Sequence, residues 1–92
     1  MTLIHHYPAG VGAFLDHPVP SGTRILSAAE RSGGVSVYVE EGTGPRDRTL
    51  HTGFFPTGQP FDAEDTTFIA TIRTQFRTDT LEFYWHVYGC VK

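Results

Sequence analysis

The closing segment of the chain alternates between apolar and polar positions without a break. Its apolar positions are Leu81, Phe83, Trp85 and Val87, and its polar or titratable positions are Glu82, Tyr84, His86 and Tyr88. Because successive side chains of a strand point to opposite faces, this pattern predicts a strand. We expect the apolar set to enter a core and the other set to form a separate aromatic and titratable face.

Short extended runs fill the rest of the chain and are separated by glycine and proline turns. The run from Val35 to Glu40 is the clearest, because valine occupies every second position. The predicted runs are Leu3 to Tyr7, Val11 to His17, Thr23 to Glu30, Val35 to Glu40, Arg48 to Phe55, Thr66 to Phe76 and Leu81 to Tyr88. Seven short runs predict one all-β domain over residues 1–92, an antiparallel β-sandwich or flattened barrel.

Three predicted turns bear on the topology. Residues 18–22 contain two prolines and a glycine and predict a turn, after a run that places Val11, Ala13 and Leu15 on one face. Gly33-Gly34 predicts a tight hairpin. Residues 42–44 read Gly-Thr-Gly, but Pro45 argues against the helix that a phosphate-binding loop needs, so we expect the tip of a hairpin.

The segment from Thr66 to Phe76 fits two structures. Its apolar positions fit a helical stripe, whereas its β-branched threonines favour a strand, which we prefer. As a strand it would place Phe68, Ala70, Ile72 and Phe76 on one face, with Thr71, Arg73 and Gln75 on the other. A helical turn over residues 27–31 is a further alternative.

Composition narrows the function classes. The net charge is −3 and Lys plus Arg number only 7, so a nucleic-acid-binding surface is disfavoured. The sequence contains no apolar stretch long enough to span a bilayer and no signal sequence, so we expect no membrane association and a cytoplasmic location. Cys90 is the only cysteine, which rules out an internal disulfide and fits a reducing compartment. We expect Cys90 to have no special role.

Residues capable of catalysis are present but not in a catalytic pattern. Of the five histidines, no two have the i, i+2 spacing that would put two metal ligands on one strand face. Asp16 and His17 are adjacent, so on a strand they point apart. The carboxylate pairs beside turns, Glu40-Glu41 and Glu64-Asp65, are expected to remain solvated. The sequence therefore predicts no enzyme, no metal site and no cofactor.

The best candidate site is a surface. If the last two strands are antiparallel neighbours, Arg73 and Arg77 could lie beside Tyr84, His86 and Tyr88. Tyrosine and arginine are enriched where proteins bind partners. The predicted binding residues are Arg73, Arg77, Tyr84, His86, Tyr88 and, from an earlier strand, Tyr38. A protein partner or a second copy of the chain is favoured, an anionic nucleotide-like ligand is an alternative, and a purely structural or assembly role is another.

Four stretches of the sequence carry a recognisable pattern: Pro20 to Ser27, Thr57 to Pro60, Phe68 to Thr71 and Trp85 to Tyr88. Together they resemble a family of small uncharacterised bacteriophage and prophage proteins. The second resembles the Thr-Gly-His-Pro loop of that family, but Gln59 stands where the pattern often has His, which weakens any acid–base role for the loop. The third has Ala70 in place of a glycine, a mild change.

The resemblance implies a compact β domain encoded by a phage, and it implies no activity. His86, Tyr88 and the loop from Thr57 to Pro60 are the matching positions that could report binding as well as packing. From the residues and the resemblance together, we expect a non-enzymatic phage accessory protein in the host cytoplasm. It would bind a host or phage macromolecule through the polar face of its closing strands.

Overall fold

A computed structural model describes the backbone of residues 2–75 and 82–92 and the side chains of residues 2–73 and 84–92. The described chain folds into eight strands and contains no helix. The strands are β1 (Leu3–Pro8), β2 (Gly10–Val11), β3 (Leu15–Val19), β4 (Arg24–Arg31), β5 (Gly34–Glu41), β6 (Arg48–Pro56), β7 (Thr67–Gln75) and β8 (Glu82–Val91). The predicted all-β class is confirmed. Within the described ranges there is also no helix long and apolar enough to cross a membrane.

The strands form two sheets. A three-stranded antiparallel sheet has the order β1-β5-β4. A five-stranded sheet has the order β2-β6-β8-β7, with β3 also paired to β6. All its pairings are antiparallel except that of β2 with β6, so the sheet is mixed rather than purely antiparallel as predicted.

The core lies between the two sheets. From the three-stranded sheet, β5 contributes the alternating Val35, Val37 and Val39, all nearly inaccessible to solvent. The other described apolar residues buried in this core are Ala9, Val19, Leu50, Phe54, Ile72 and Val87, whereas the buried Phe55 packs on the outer side of β6. A fully buried aliphatic or aromatic side chain contributes roughly 1.5–3 kcal/mol, so these few residues supply most of the stability of a small domain.

The predicted alternation of the closing strand holds where its side chains are described. Val87 is fully buried, and Trp85 is partly buried against the core with its ring edge-on to Phe54. Tyr84, which precedes Trp85 and points to the opposite face, is 47% exposed. The side chains of Leu81 and Phe83, predicted to join the core, lie outside the described set, as does Phe76.

Residues 67–75 form the preferred strand rather than a helix. The predicted faces of this strand were partly wrong, because the register with β8 shifts between Phe68 and Ala70. A bulge of this kind adds one residue to one strand and reverses the facing of what precedes it. Ile69 therefore packs against the core, while Phe68 is 54% exposed on the outer face.

The first half of the chain corrects two predictions. The run from Val11 to His17 is divided by Gly12, whose φ of 66° is unfavourable for a residue with a side chain, so Val11, Ala13 and Leu15 do not form one buried face. The turn predicted over residues 18–22 begins later, since Pro18 and the buried Val19 belong to β3. Proline is tolerated there because β3 lies at a sheet edge.

The turns reveal how the sheets connect. Ser32 and Gly33 both have positive φ and form the two-residue loop of the β4–β5 hairpin, one position earlier than predicted. Residues 27–31 are strand and not a helical turn. The Gly-Thr-Gly segment is not a hairpin tip, because the strands on either side of it, β5 and β6, belong to different sheets.

We expect Trp85→Ala to lower the free energy of unfolding by about 3 kcal/mol, because it removes the largest side chain that packs against the core. Tyr84→Ala is the matched control on the opposite face and should cost less than about 1 kcal/mol. Urea denaturation followed by far-ultraviolet circular dichroism measures both variants. Tryptophan fluorescence would not, because Trp85 is the only tryptophan and one variant removes it. Equal losses for the two variants would contradict the assignment of faces.

Candidate functional site

The outer face of β7 and β8 brings together most of the predicted binding residues. In the antiparallel register, Arg73 lies opposite Tyr84, Thr71 opposite His86, and Phe68 opposite Tyr88. Directly opposite residues have Cβ atoms about 4.5–5.5 Å apart, so each pair is in side-chain reach. These six residues, Phe68, Thr71, Arg73, Tyr84, His86 and Tyr88, are called the β7–β8 face below.

Two threonine hydroxyls hold the ring of His86 in place. Thr57 Oγ1 lies 2.8 Å from Nε2, and Thr71 Oγ1 lies 3.1 Å from Nδ1. One consistent arrangement has Nε2–H donating to Thr57 while Thr71 donates to Nδ1, which satisfies a neutral imidazole. The contact with Thr57 also joins two of the four stretches on which the expected resemblance rests, Thr57 to Pro60 and Trp85 to Tyr88.

One predicted site residue lies on the other sheet, and the structure does not describe another. Tyr38 lies on the outer side of the opposite sheet, where its ring is 5.7 Å from that of His6. The alternation of β5 indicates that Tyr38 faces away from the core, as it does. It does not indicate that β5 lies in a different sheet from β7 and β8. Arg77 lies outside the described residues.

A segment that we call the strap, residues 57–66, covers part of the five-stranded sheet beside the β7–β8 face. Phe61 of the strap stacks on Phe55 of β6, with ring centroids 3.9 Å apart and planes within 1° of parallel. The same ring packs edge-to-face with the ring of Tyr88, with centroids 5.1 Å apart. Offset or edge-on aromatic pairs contribute about 0.5–1.5 kcal/mol beyond the area that they bury. The strap is therefore attached to the sheet by aromatic packing.

His51 provides a second attachment for the strap. Its Nδ1 hydrogen-bonds Asp16 Oδ1 of β3, and its Nε2 lies 3.4 Å from Glu64 Oε2 of the strap. Phe14 stacks on the imidazole, with centroids 4.5 Å apart. An aspartate on one ring nitrogen is the arrangement that orients a catalytic base, but here the other nitrogen faces Glu64 and the ring is covered. His51 therefore links β6, on which it lies, to β3 and to the strap.

Gly53 lets the chain cover this part of the sheet closely. A Cβ atom at Gly53 would lie 2.5 Å from the backbone oxygen of Ala13, well inside contact distance. The missing side chain allows residues 12–14 to approach β6, which brings the ring of Phe14 onto His51 and edge-on to Phe55 at 5.2 Å. Only glycine fits here without moving that loop.

Sequence reasoning missed both the contacts of His51 and a polar network formed by Tyr7, Glu41 and Arg46. The Tyr7 hydroxyl donates to Glu41 Oε1 at 2.7 Å, and Arg46 lies 3.6 Å from the same oxygen. Burial and the hydrogen bond to Glu41 raise the pKa of Tyr7, which Arg46 partly offsets. Neither set follows a sequence motif, because each is assembled by strand register or by a loop.

The histidines do not converge. His17 points to the inner side of β3 and lies 2.9 Å from the Pro8 carbonyl oxygen. His51 and His86 lie on the outer side but on different strands and four positions apart in register. In the part of the chain that the structure describes, no group of three or more His, Cys, Asp or Glu side chains has an arrangement able to hold a metal ion.

Cys90 lies opposite His51 in the β6–β8 register and is half-buried. Burial raises the pKa of the Cys90 thiol, and the carboxylates of Asp65, Glu64 and Asp16 raise it further, while Lys92 lowers it. Because the thiolate is the reactive form, these surroundings favour an unreactive thiol at neutral pH.

A family model described as "Domain of unknown function (DUF7352)" matches residues 1–91. No curated protein and no solved structure matches the chain.

The raised pKa of Cys90 predicts how the thiol reacts with iodoacetamide. At about pH 7.5 alkylation of the native protein should be slower than that of the urea-unfolded chain, and its rate should keep rising to higher pH. Mass spectrometry of timed samples measures both rates, and the unfolded chain is the control because it lacks the burial. Equal rates in the two states would contradict the proposed effect of burial.

Proposed function

Because the chain belongs to the DUF7352 family, whose description assigns no activity, we propose its function chiefly from the geometry of the β7–β8 face. The protein is a non-enzymatic binding domain that docks a protein partner on that face. In accordance with the resemblance to phage and prophage proteins, we place it among phage accessory proteins that act on a host or phage macromolecule in the host cytoplasm.

The observation that carries the proposal is the exposure of two aromatic rings on one rigid face. Phe68 is 54% exposed and Tyr84 is 47% exposed. Phe68 lies opposite Tyr88, which is four residues from Tyr84 along β8. The two exposed rings therefore lie on either side of His86, roughly 13 Å apart along the strand. Exposed aromatic residues next to arginine are the usual centre of a protein–protein interface.

The surroundings of the two rings favour binding because they are already ordered. His86 is held by Thr57 and Thr71, and the ring of Tyr88 is contacted by Phe61 and Phe68. Ordering a loop or a long side chain during association costs free energy, whereas a face fixed before association avoids most of that cost. The strap therefore favours binding because its Thr57 and Phe61 hold His86 and Tyr88, which lie beside the two exposed rings.

The double variant Arg73→Ala with Tyr84→Ala tests the proposal. Tagged protein is used to capture partners from host-cell lysate, the captured protein is identified by mass spectrometry, and its affinity is then measured with purified components. Loss of the arginine and the tyrosine should weaken binding at least about tenfold, which corresponds to about 1.4 kcal/mol.

The matched control removes the same residue types from the outer face of the other sheet, Arg24→Ala with Tyr38→Ala. Arg24 pairs with Glu40 at 3.2 Å on the surface, an interaction worth little to stability. This control should bind as the unchanged protein does. If both double variants weakened binding equally, or if neither weakened it, the β7–β8 face would be rejected as the docking site. Circular dichroism verifies that both fold.

A second candidate function rests on the position of Arg73 directly opposite Tyr84. A guanidinium beside a phenol suits a planar anionic molecule such as a nucleotide, through stacking and a bidentate hydrogen bond. Thermal unfolding with a nucleotide panel tests this alternative. A ligand at about a hundred times its dissociation constant should stabilise the protein by roughly 2.7 kcal/mol, and the Arg73→Ala, Tyr84→Ala variant should lose that effect. An unchanged melting temperature with every nucleotide would exclude it.

A further inference from the structure

We propose that two copies of the chain associate by antiparallel pairing of β1 with the β1 strand of the second copy. The resulting assembly would have one continuous sheet of six strands, three from each copy. This association uses the sheet opposite the β7–β8 face, so it is independent of the proposed function.

The first support is the position of β1 at a sheet edge. The strand pairs with β5 along its whole length, from Leu3 opposite Glu41 to Pro8 opposite Ser36, and with no other described strand. An edge strand presents unpaired backbone N–H and C=O groups in a row, which is a template for another strand. Pro8 has no N–H and its carbonyl oxygen is contacted by His17, so the available ladder is Leu3 to Tyr7, about 17 Å long.

The second support is the apolar character of this edge. Leu3 is 60% exposed and Ile4 is 58% exposed, so two adjacent large apolar side chains face solvent on one short strand. Adjacent strand residues point to opposite faces, and pairing with another strand would therefore cover apolar surface on both sides of the extended sheet. Exposed apolar residues on an unprotected edge mark an interaction site.

The third support is charge, and it selects a second copy as the occupant. Residues 2–8 contain no Asp, Glu, Lys or Arg. A strand that pairs with itself about a twofold axis brings each charged side chain near its own symmetry mate, and like charges across strands are destabilising. A strand whose only basic side chains are His5 and His6 avoids most of this repulsion, and it offers no Asp, Glu, Lys or Arg with which to select a basic or acidic peptide.

The other sheet edges are each protected against such pairing, β2 because it has only two residues. Strand β4 has Arg24, Glu30 and Arg31 and a register shift between Ile25 and Ser27. Strand β3 contains Pro18, which lacks the N–H that a ladder needs. Strand β7 has Arg73 and its own register shift. Charges, bulges and prolines are the common means of keeping edges from pairing, and β1 lacks all three before Pro8.

Ile4→Lys tests the proposal in the full chain. Light scattering coupled to size-exclusion chromatography, run over a series of protein concentrations, gives the mass and the dissociation constant of the dimer. The substitution should raise that constant about tenfold or more, because it places two lysines close together across the twofold axis. Val11→Lys is the control, since Val11 is 70% exposed but lies in the other sheet, and its dimer should be unchanged.

Three results would overturn the proposal: a monomer at every concentration for the unchanged protein, a dimer that survives Ile4→Lys, and equal dissociation of both lysine variants. Because Ile4→Lys could disturb folding, cysteine cross-linking provides a separate test in a Cys90→Ser background. Single cysteines at positions 3, 4 and 5 should include one that forms a disulfide-linked dimer under mild oxidation, whereas Val11→Cys should not. Absence of a cross-link at all three positions would also overturn it.

Discussion

The burial of β6 on both faces is the constraint on which the rest of the structure depends. Every residue from Leu50 to Phe55 is buried. The inward positions meet the three-stranded sheet, whereas the outward positions lie beneath the strap and residues 12–14. A two-layer sandwich usually leaves the outer face of each sheet in water, so β6 adds a small second core to the domain.

This second core determines which part of the outer surface is left for binding. Phe61 and Phe14 cover β6, and their cover ends at Tyr88, whose ring contacts Phe61 on one side and Phe68 on the other. Beyond that boundary the sheet is exposed at Phe68 and Tyr84. The same aromatic packing therefore stabilises the sheet and limits the accessible surface to the two strands that carry the candidate site.

The sequence allowed good prediction of properties that depend on alternation within one strand. The valines of β5 and the pair Trp85 and Val87 lie inside as their period of two indicates. Prediction failed where the backbone departs from that period, as at the bulge that turns Phe68 outward and at Gly12, which divides an apparent strand. A bulge is an extra residue relative to the neighbouring strand, so the sequence of one strand alone does not predict it.

The contacts between distant segments were beyond prediction for a different physical reason. Asp16 and His51 become neighbours only through the β3–β6 register, and register is set by the packing of the whole sheet. The same limit explains Tyr38, whose outward direction followed from its strand while its sheet did not. Arg73, Tyr84, His86 and Tyr88 were placed together correctly because β7 and β8 are consecutive strands.

The difference between the two edges of the three-stranded sheet has a consequence for how far assembly can proceed. Pairing of identical edges about a twofold axis uses both surfaces at once and stops at two molecules, whereas head-to-tail pairing of unlike edges would continue into a filament. The charged and bulged β4 opposes the head-to-tail mode, because it presents an irregular ladder to an incoming β1. An uncharged edge at one side of the sheet and an irregular, charged edge at the other thus favour closed assembly over fibre growth.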